Sequence, residues 1–276
     1  MLGAIIGDIC GSVYEFANCK DYDKIVLFND EEGCDYTDDT VMTIAVAQAL
    51  MDYESYNGPK GFKKDALENM LVHSMRYYGN IFPIAGYGGR FINWLFDTDP
   101  SPYGSFGNGS AMRVSSAGWL YDSMEETLKM AEITAKVTHN HPEGIKGAKA
   151  VAGAVYLART GGTKEDIKAF AEGLGYDLSF NIDEIRPSYY HVESCQESVP
   201  QGIKCFLEST DFEQCIRLTI SLGGDCDTTA AMSGAIAEAY YGIPEWMKER
   251  ALTYLPDPML MQYARFERMM DDNTVA

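Results

Sequence analysis

Positive charge is scarce in this chain. Its 276 residues carry 22 Lys and Arg against 41 Asp and Glu, a formal net charge of −19. Long-range attraction to nucleic acid or to an anionic membrane surface is therefore not expected. A negatively charged ligand would have to be received by bound cations or by helix N-termini. No uncharged apolar run approaches the length of a membrane span. The stretch from Met1 to Asp8 lacks a basic segment, and Asp8 interrupts its apolar run, so no secretory leader is expected. The seven cysteines, at 10, 19, 34, 195, 205, 215 and 226, include no C-x-x-C pair and are odd in number. A disulfide framework is thus not expected, and a reducing, cytoplasmic setting fits better. Rossmann-type βαβ alternation, internal repeats and low-complexity linkers are missing too. What is present, 46% hydrophobic and 23% charged residues, suits a globular protein long enough to bury a full core.

Apolar residues recur at helical spacing over 40–52, 62–78, 88–97, 124–137, 142–159, 199–208, 212–222, 229–241, 245–254 and 258–271, with a further helix ending near Asp122. Pro187, Pro200, Pro244, Pro256 and Pro258 punctuate them, and Ser123-x-x-Glu126 and Thr163-x-x-Asp166 read as helix starts. Ile25–Phe28 is a candidate short strand. In the first segment Gly3, Gly7 and Gly11 fall on one helix face. They would weaken that helix but let another approach closely. The expected architecture is all-α, one orthogonal multi-helix domain over residues 1–276.

Two of these helix starts are unusually acidic. Gly223-Gly224-Asp225-Cys226-Asp227-Thr228-Thr229 precedes the apolar run from Ala230, and Tyr36-Thr37-Asp38-Asp39-Thr40 precedes the run from Val41. Capping explains either one alone, because Asp and Thr accept from orphan N–H groups and an anion suits the helix dipole. One cap needs one acceptor, however, and each start offers two carboxylates. If the two starts meet, each like-charge pair at ~4 Å costs about 1 kcal/mol in water and about 4 near a protein surface. Only cations make such a site persist. Oxygen-only ligands select hard ions, so a pair of Mg²⁺ ions, with Mn²⁺ as a substitute, is expected on Thr37, Asp38, Asp39, Asp225, Asp227 and Thr228.

Other features are ambiguous one by one. The Gly104–Ser110 loop offers either backbone N–H groups for a phosphate or a tight interhelix turn. It is not a dinucleotide fingerprint, since no strand precedes it. Phe106 is either a stacking platform or core. His139-Asn140-His141 suggests zinc, but Cys195 and His191 supply no recognisable further ligands. His139 is left as a ligand contact or a hydrogen-bonded structural residue. Glu15, taken alone, reads as a solvated side chain.

Taken together, these segments resemble the ADP-ribosylglycohydrolase family. The resemblance runs through Gly7-Asp8-x-x-Gly11-Ser12-x-Tyr14-Glu15, Tyr36-Thr37-Asp38-Asp39-Thr40, Gly86-Tyr87-Gly88, Gly104-Ser105-Phe106-Gly107-Asn108-Gly109, Ala111-Met112-Arg113, Thr138-His139 and Ser221-Leu222-Gly223-Gly224-Asp225-x-Asp227-Thr228. It implies an all-α fold and a binuclear Mg²⁺ site at converging helix N-termini. Thr37, Asp38, Asp39 and Asp227 would surround one ion, and Asp225, Asp227 and Thr228 the other, with Asp227 bridging. It also implies hydrolysis at the anomeric carbon of ADP-ribose attached to an acceptor, with Glu15, Asp38 and Asp39 as catalytic groups. Gly104, Ser105, Gly107, Asn108 and Gly109 would hold the diphosphate, Phe106 the adenine and His139 the ribose side, with Tyr103 as candidate second aromatic. The Glu15 and Gly104–Arg113 motifs lean toward O-linked acceptors such as serine. The implied partner is ADP-ribose or an ADP-ribosylated protein, and a monomer is expected. Cys226 stands where threonine is frequent.

Two rivals are a non-catalytic ADP-ribose-binding module and a Mg²⁺-dependent all-α diphosphate enzyme. The latter's D-D-x-x-D would need an acid at position 42, which is Met42.

Overall fold

The first helix, α1 (Leu2–Gly11), is buried from end to end, as expected for a segment apolar on every face. Its partner is α12 (Cys226–Tyr241), buried from Cys226 to Ala237. The glycine stripe explains how close they come. A Cβ on Gly3 would lie 2.2 Å from the Gly234 carbonyl oxygen, one on Gly7 2.1 Å from that of Ala230, and one on Gly11 2.4 Å from Asp227 Cα. The pairing is antiparallel, so the end of α1 rests on the start of α12. Glu238 of α12 in turn accepts the Gly3 N–H at 2.9 Å, capping α1 from outside. Gly7→Ala should therefore cost at least the upper end of the ~1–3 kcal/mol usual for overpacking. Urea denaturation checks this, and a loss below about 1 kcal/mol would contradict the close approach.

The computed structural model describes residues 1–57 and 63–274, and the expected helix start at Phe62 lies outside them. Around the α1–α12 pair sit α2 (Asp38–Asn57), α3 (Lys64–Ile81), α4 (Gly89–Phe96), α5 (Ser115–Leu120), α6 (Met124–Lys136), α7 (Pro142–Arg159), α8 (Lys164–Gly173), α9 (Ile182–Ile185), α10 (Cys195–Glu208), α11 (Phe212–Leu222), α13 (Glu245–Leu252) and α14 (Asp257–Thr274). No strand occurs among the described residues, so the all-α expectation holds. One apolar core draws on residues from Met1 to Phe266. No helix among the described residues is long and apolar enough to cross a membrane.

Local differences have physical causes. Ile25–Phe28 is not a strand. Its backbone is tied to the Tyr14 hydroxyl, which accepts from Val26 N at 2.8 Å and donates to Val26 O at 3.2 Å, and Phe28 adopts φ +53°. Helix α10 starts at Cys195 and runs through Pro200. The carbonyl that Pro200 leaves without an N–H belongs to Gln196, an exposed residue. Between Gly104 and Arg113 there is only a 3₁₀ turn, Asn108–Ser110, before the short α5. Thr163 and Asp166 do form a full capping box at the start of α8.

Candidate metal centre and cleft

The start of α2 is capped by Asp8 of α1. Asp8 Oδ2 accepts the N–H groups of Thr37 (2.9 Å) and Thr40 (3.0 Å), and Oδ1 accepts the Thr37 hydroxyl at 2.6 Å. That releases Asp38 and Asp39 from capping. The start of α12 likewise has no side-chain cap bond from Asp225, whose Oδ2 accepts Asn108 Nδ2 at 2.6 Å. Apart from Asp227 Oδ1, which accepts the Thr228 N–H at 2.9 Å, the surplus of carboxylates noted in the sequence is thus not consumed by the helix ends.

The two starts meet. The Thr228 hydroxyl donates to Asp39 Oδ2 at 3.0 Å, across 189 residues of sequence. Asp39 Oδ1 is buried without a hydrogen-bond partner among the described residues. One carboxylate oxygen each from Asp8, Asp39 and Asp227 lie within 4.8 Å of one another, and a second such group is Glu15, Asp225 and Asp227. Asp227 belongs to both, which suits a bridging position. Thr37 and Thr228 stand beside the first group through their bonds to Asp8 and Asp39. Asp38 is in neither. It lines the adjoining cleft, its Oδ1 3.7 Å from where a Cβ on Gly86 would lie.

Burial of so many acids has the expected electrostatic result. Desolvation, followed by repulsion from Asp8 and Asp225, pushes Asp38 up to about 8. Desolvation and then Asp225 bring Glu15 to about 7. Burial raises Asp8 and Asp225 as well, and Asp39 and Asp227 stand well above the carboxylate range from burial and neighbouring carboxylates. These groups favour protons unless another cation takes their place. A donor set made only of oxygens, with one buried oxygen left open, fits a hard divalent ion.

The cleft next to the acids, of about 270 Å³, is at the lower edge of small-molecule sites. Glu15, Asp38, Asp225 and Thr228 contribute to its wall, as do Arg113 and His139. Ser105, Gly107, Asn108 and Gly109 also line it. The loop is anchored from several sides: Gly104 (φ +66°) donates to Asn140 Oδ1 at 2.7 Å, Gly107 N to Ser105 Oγ at 3.2 Å, and Asn108 N to the Glu193 carbonyl at 2.7 Å. The Ser105 and Phe106 N–H groups have no protein acceptor among the described residues. Phe106 is 47% exposed, edge-on to His141 at 5.4 Å, and lies outside the cleft wall. Tyr103 lines the cleft with the Arg90 guanidinium 4.8 Å from its ring centre.

Sequence reading overlooked three participants. Asp8 enters the sequence reading as a break in an apolar run and as part of a motif, with no site role, although a lone acid inside a fully apolar helix already requires a buried partner. Arg113, 1% exposed, and Thr138 were noted only within motifs.

Comparison with known proteins agrees with the architecture. The family model for ADP-ribosylglycohydrolase matches residues 1–273. Human ADP-ribosylhydrolase ARH3 is 27% identical, the match covering 95% of this chain and 90% of that protein. ADP-ribosylarginine hydrolase Tri1 of Pseudomonas putida (strain GB-1) is also 27% identical, over 91% of this chain and 73% of that one. A solved structure described as an ADP-ribosylglycohydrolase-related protein complex shares the fold, with a TM-score of 0.69 at 23% identity over 98% of this chain and 95% of that one. The chain belongs to the ADP-ribosylglycohydrolase family.

Proposed function

We propose that residues 1–276 act as one domain that hydrolyses the glycosidic bond between the anomeric carbon of ADP-ribose and an acceptor. The observation that carries this reading is the pair of carboxylate groups sharing Asp227 at the wall of a cleft. Thr37, Asp39, Asp225, Asp227 and Thr228 would hold two Mg²⁺ ions, or Mn²⁺ in their place, with Asp38 at the cleft side and Asp8 and Glu15 completing the two groups. Bound there, the ions would supply Lewis acidity.

The remaining work falls to the chain. Bond cleavage builds positive charge on the ribose ring, which the buried carboxylates favour electrostatically. Glu15 and Asp38 both line the cleft and are placed to serve there as general acid or base. Asp39 acts beside them, held by Thr228. The free N–H groups of Ser105 and Phe106 receive a diphosphate oxygen, while Gly104, Gly107, Asn108 and Gly109 shape the loop that presents them. His139 contacts the ribose side. A cleft this small leaves the adenine at the rim, where Phe106 is exposed between the lining residues Ser105 and Gly107.

The Glu15 and Gly104–Arg113 motifs point toward an O-linked acceptor such as serine. A cytoplasmic setting accords with the seven free cysteines, and a monomer is the assembly proposed. Incubation with Mg²⁺ and arginine-, serine- and polymer-linked ADP-ribose, reading free ADP-ribose, tests the proposal. Serine-linked substrate is expected to turn over fastest. Tight ADP-ribose binding with zero turnover on every linkage would instead establish a binding module.

A further inference from the structure

Arg113 is fully buried, its guanidinium 5.6 Å from the Phe91 ring centre, and Nη2 donates to Thr138 Oγ1 at 2.8 Å. The same Oγ1 lies 2.7 Å from His139 Nδ1. These are the two partners of that hydroxyl among the described residues, and Thr138 is wholly buried. A guanidinium only donates, so the hydroxyl accepts from Arg113. Its own proton then has one available acceptor, His139 Nδ1. If Nδ1 carried the proton instead, the hydroxyl hydrogen would be left buried and unpaired, a loss of roughly 1–3 kcal/mol.

From this arrangement we infer that Thr138, held by Arg113, locks His139 as the neutral Nε2–H tautomer and makes it a donor to an acceptor oxygen in the cleft. Nε2 sits 3.2 Å from where a Cβ on Gly109 would lie and 3.6 Å from one on Gly107, and it has no protein partner among the described residues. A side chain at 109 would crowd Nε2, whereas one at 107 would reach it at ordinary contact distance. The group received is one with lone pairs and no obligatory proton: a phosphate, carbonyl or ether oxygen. A ligand that presents an ammonium or amide N–H at this point meets another donor and is disfavoured. Burial together with the nearby Arg113 and Arg90 charges also holds the imidazole well below its ordinary range, so the ring is neutral while it donates. Thr138 is a positioning residue in this scheme, since it acts through His139. Which ligand oxygen is received rests on the ADP-ribose reading above, whereas the tautomer does not.

The test separates the two. With four histidines in the chain, 15N-labelled imidazoles are assignable by replacement of each in turn. In the full-length protein without substrate, His139 should show protonated Nε2 and bare Nδ1 from pH 5 to 8. Thr138→Val should replace this with a tautomer mixture and Thr138→Ser should restore it, far-UV circular dichroism being unchanged in both. With the best substrate of the panel, Thr138→Val should raise KM about tenfold with little change in kcat, the worth of one hydrogen bond. A protonated Nδ1, an imidazolium at pH 7, or a tautomer unmoved by Thr138→Val would overturn the inference. A fixed Nε2–H tautomer alongside no hydrolysis of any substrate would uphold it and count against the ADP-ribose reading alone.

Discussion

Replacing Asp227 by asparagine is expected to lower hydrolysis at least ~10³-fold and, in metal-free protein at pH 8, to raise the melting temperature by roughly 5 °C. The two effects have one origin. Asp227 is 3% exposed and belongs to both carboxylate groups, so its charge is repelled by Asp225, Asp39, Glu15 and Asp8 when no cation is bound. Asparagine keeps the Oδ1 that accepts the Thr228 N–H at 2.9 Å, and the start of α12 is preserved. It removes the charge and puts an NH2 donor in place of the second oxygen. A residue serving as a mere helix cap would show neither effect, because Asn caps as well as Asp. Scanning calorimetry with and without Mg²⁺, together with a single-substrate assay, reads both quantities. Unchanged turnover with unchanged melting would leave Asp227 with an ordinary structural role.

The second large effect is on stability against pH. Glu15 and Asp38 bind protons more tightly in the folded chain than in the unfolded one, as do the more deeply buried acids. For acids raised in this way, the unfolded state gives up its protons first as pH rises above about 4. Their contribution is complete below that point and is lost through the folded values near 7 and 8. Metal-free protein should therefore melt lower at pH 8 than at pH 5.5. Divalent cation acts in the opposite sense, since it binds the ionised site. At a hundred times its dissociation constant, Mg²⁺ should add about 2.7 kcal/mol, or roughly 5–10 °C for a chain of this size. The gain should be largest at pH 8 and small at pH 5.5, where protons compete. Melting curves at the two pH values with chelator or Mg²⁺ decide it, and a pH-independent Mg²⁺ effect would count against the buried carboxylates as its source.

How much of this was legible in the sequence follows from which interactions are local. The all-α pattern was readable, because apolar periodicity and caps such as Thr163–Asp166 act within a few residues. The two acidic starts were readable as an excess of acceptors over caps. Who does the capping was not. Asp8 reaches α2 from another helix, 29 residues earlier than Thr37, and only a fold brings such a side chain to a helix end. The same holds for the chain from Arg113 through Thr138 to His139, whose first link spans 25 residues. Pro200 misled in the opposite direction: a local rule that ends helices gave way because the carbonyl it orphans belongs to a solvent-exposed residue. At Ile25–Phe28, β-branched and aromatic residues imitated a strand, while the Tyr14 hydroxyl did the pairing a neighbouring strand would do.

The glycine seam between α1 and α12 also dictates when the acidic site comes into being. Gly11 and Cys226 touch across 215 residues, with the Cys226 thiol donating to the Gly11 carbonyl at 3.7 Å. Neither carboxylate group exists until that seam closes, so a nascent chain still lacking α12 carries Asp8, Asp38 and Asp39 with half a cage and no affinity worth the name. Contacts this remote in sequence form late and slowly. Cation uptake should then mark the final docking of the two ends, making the ion a timekeeper of folding as well as a participant in chemistry.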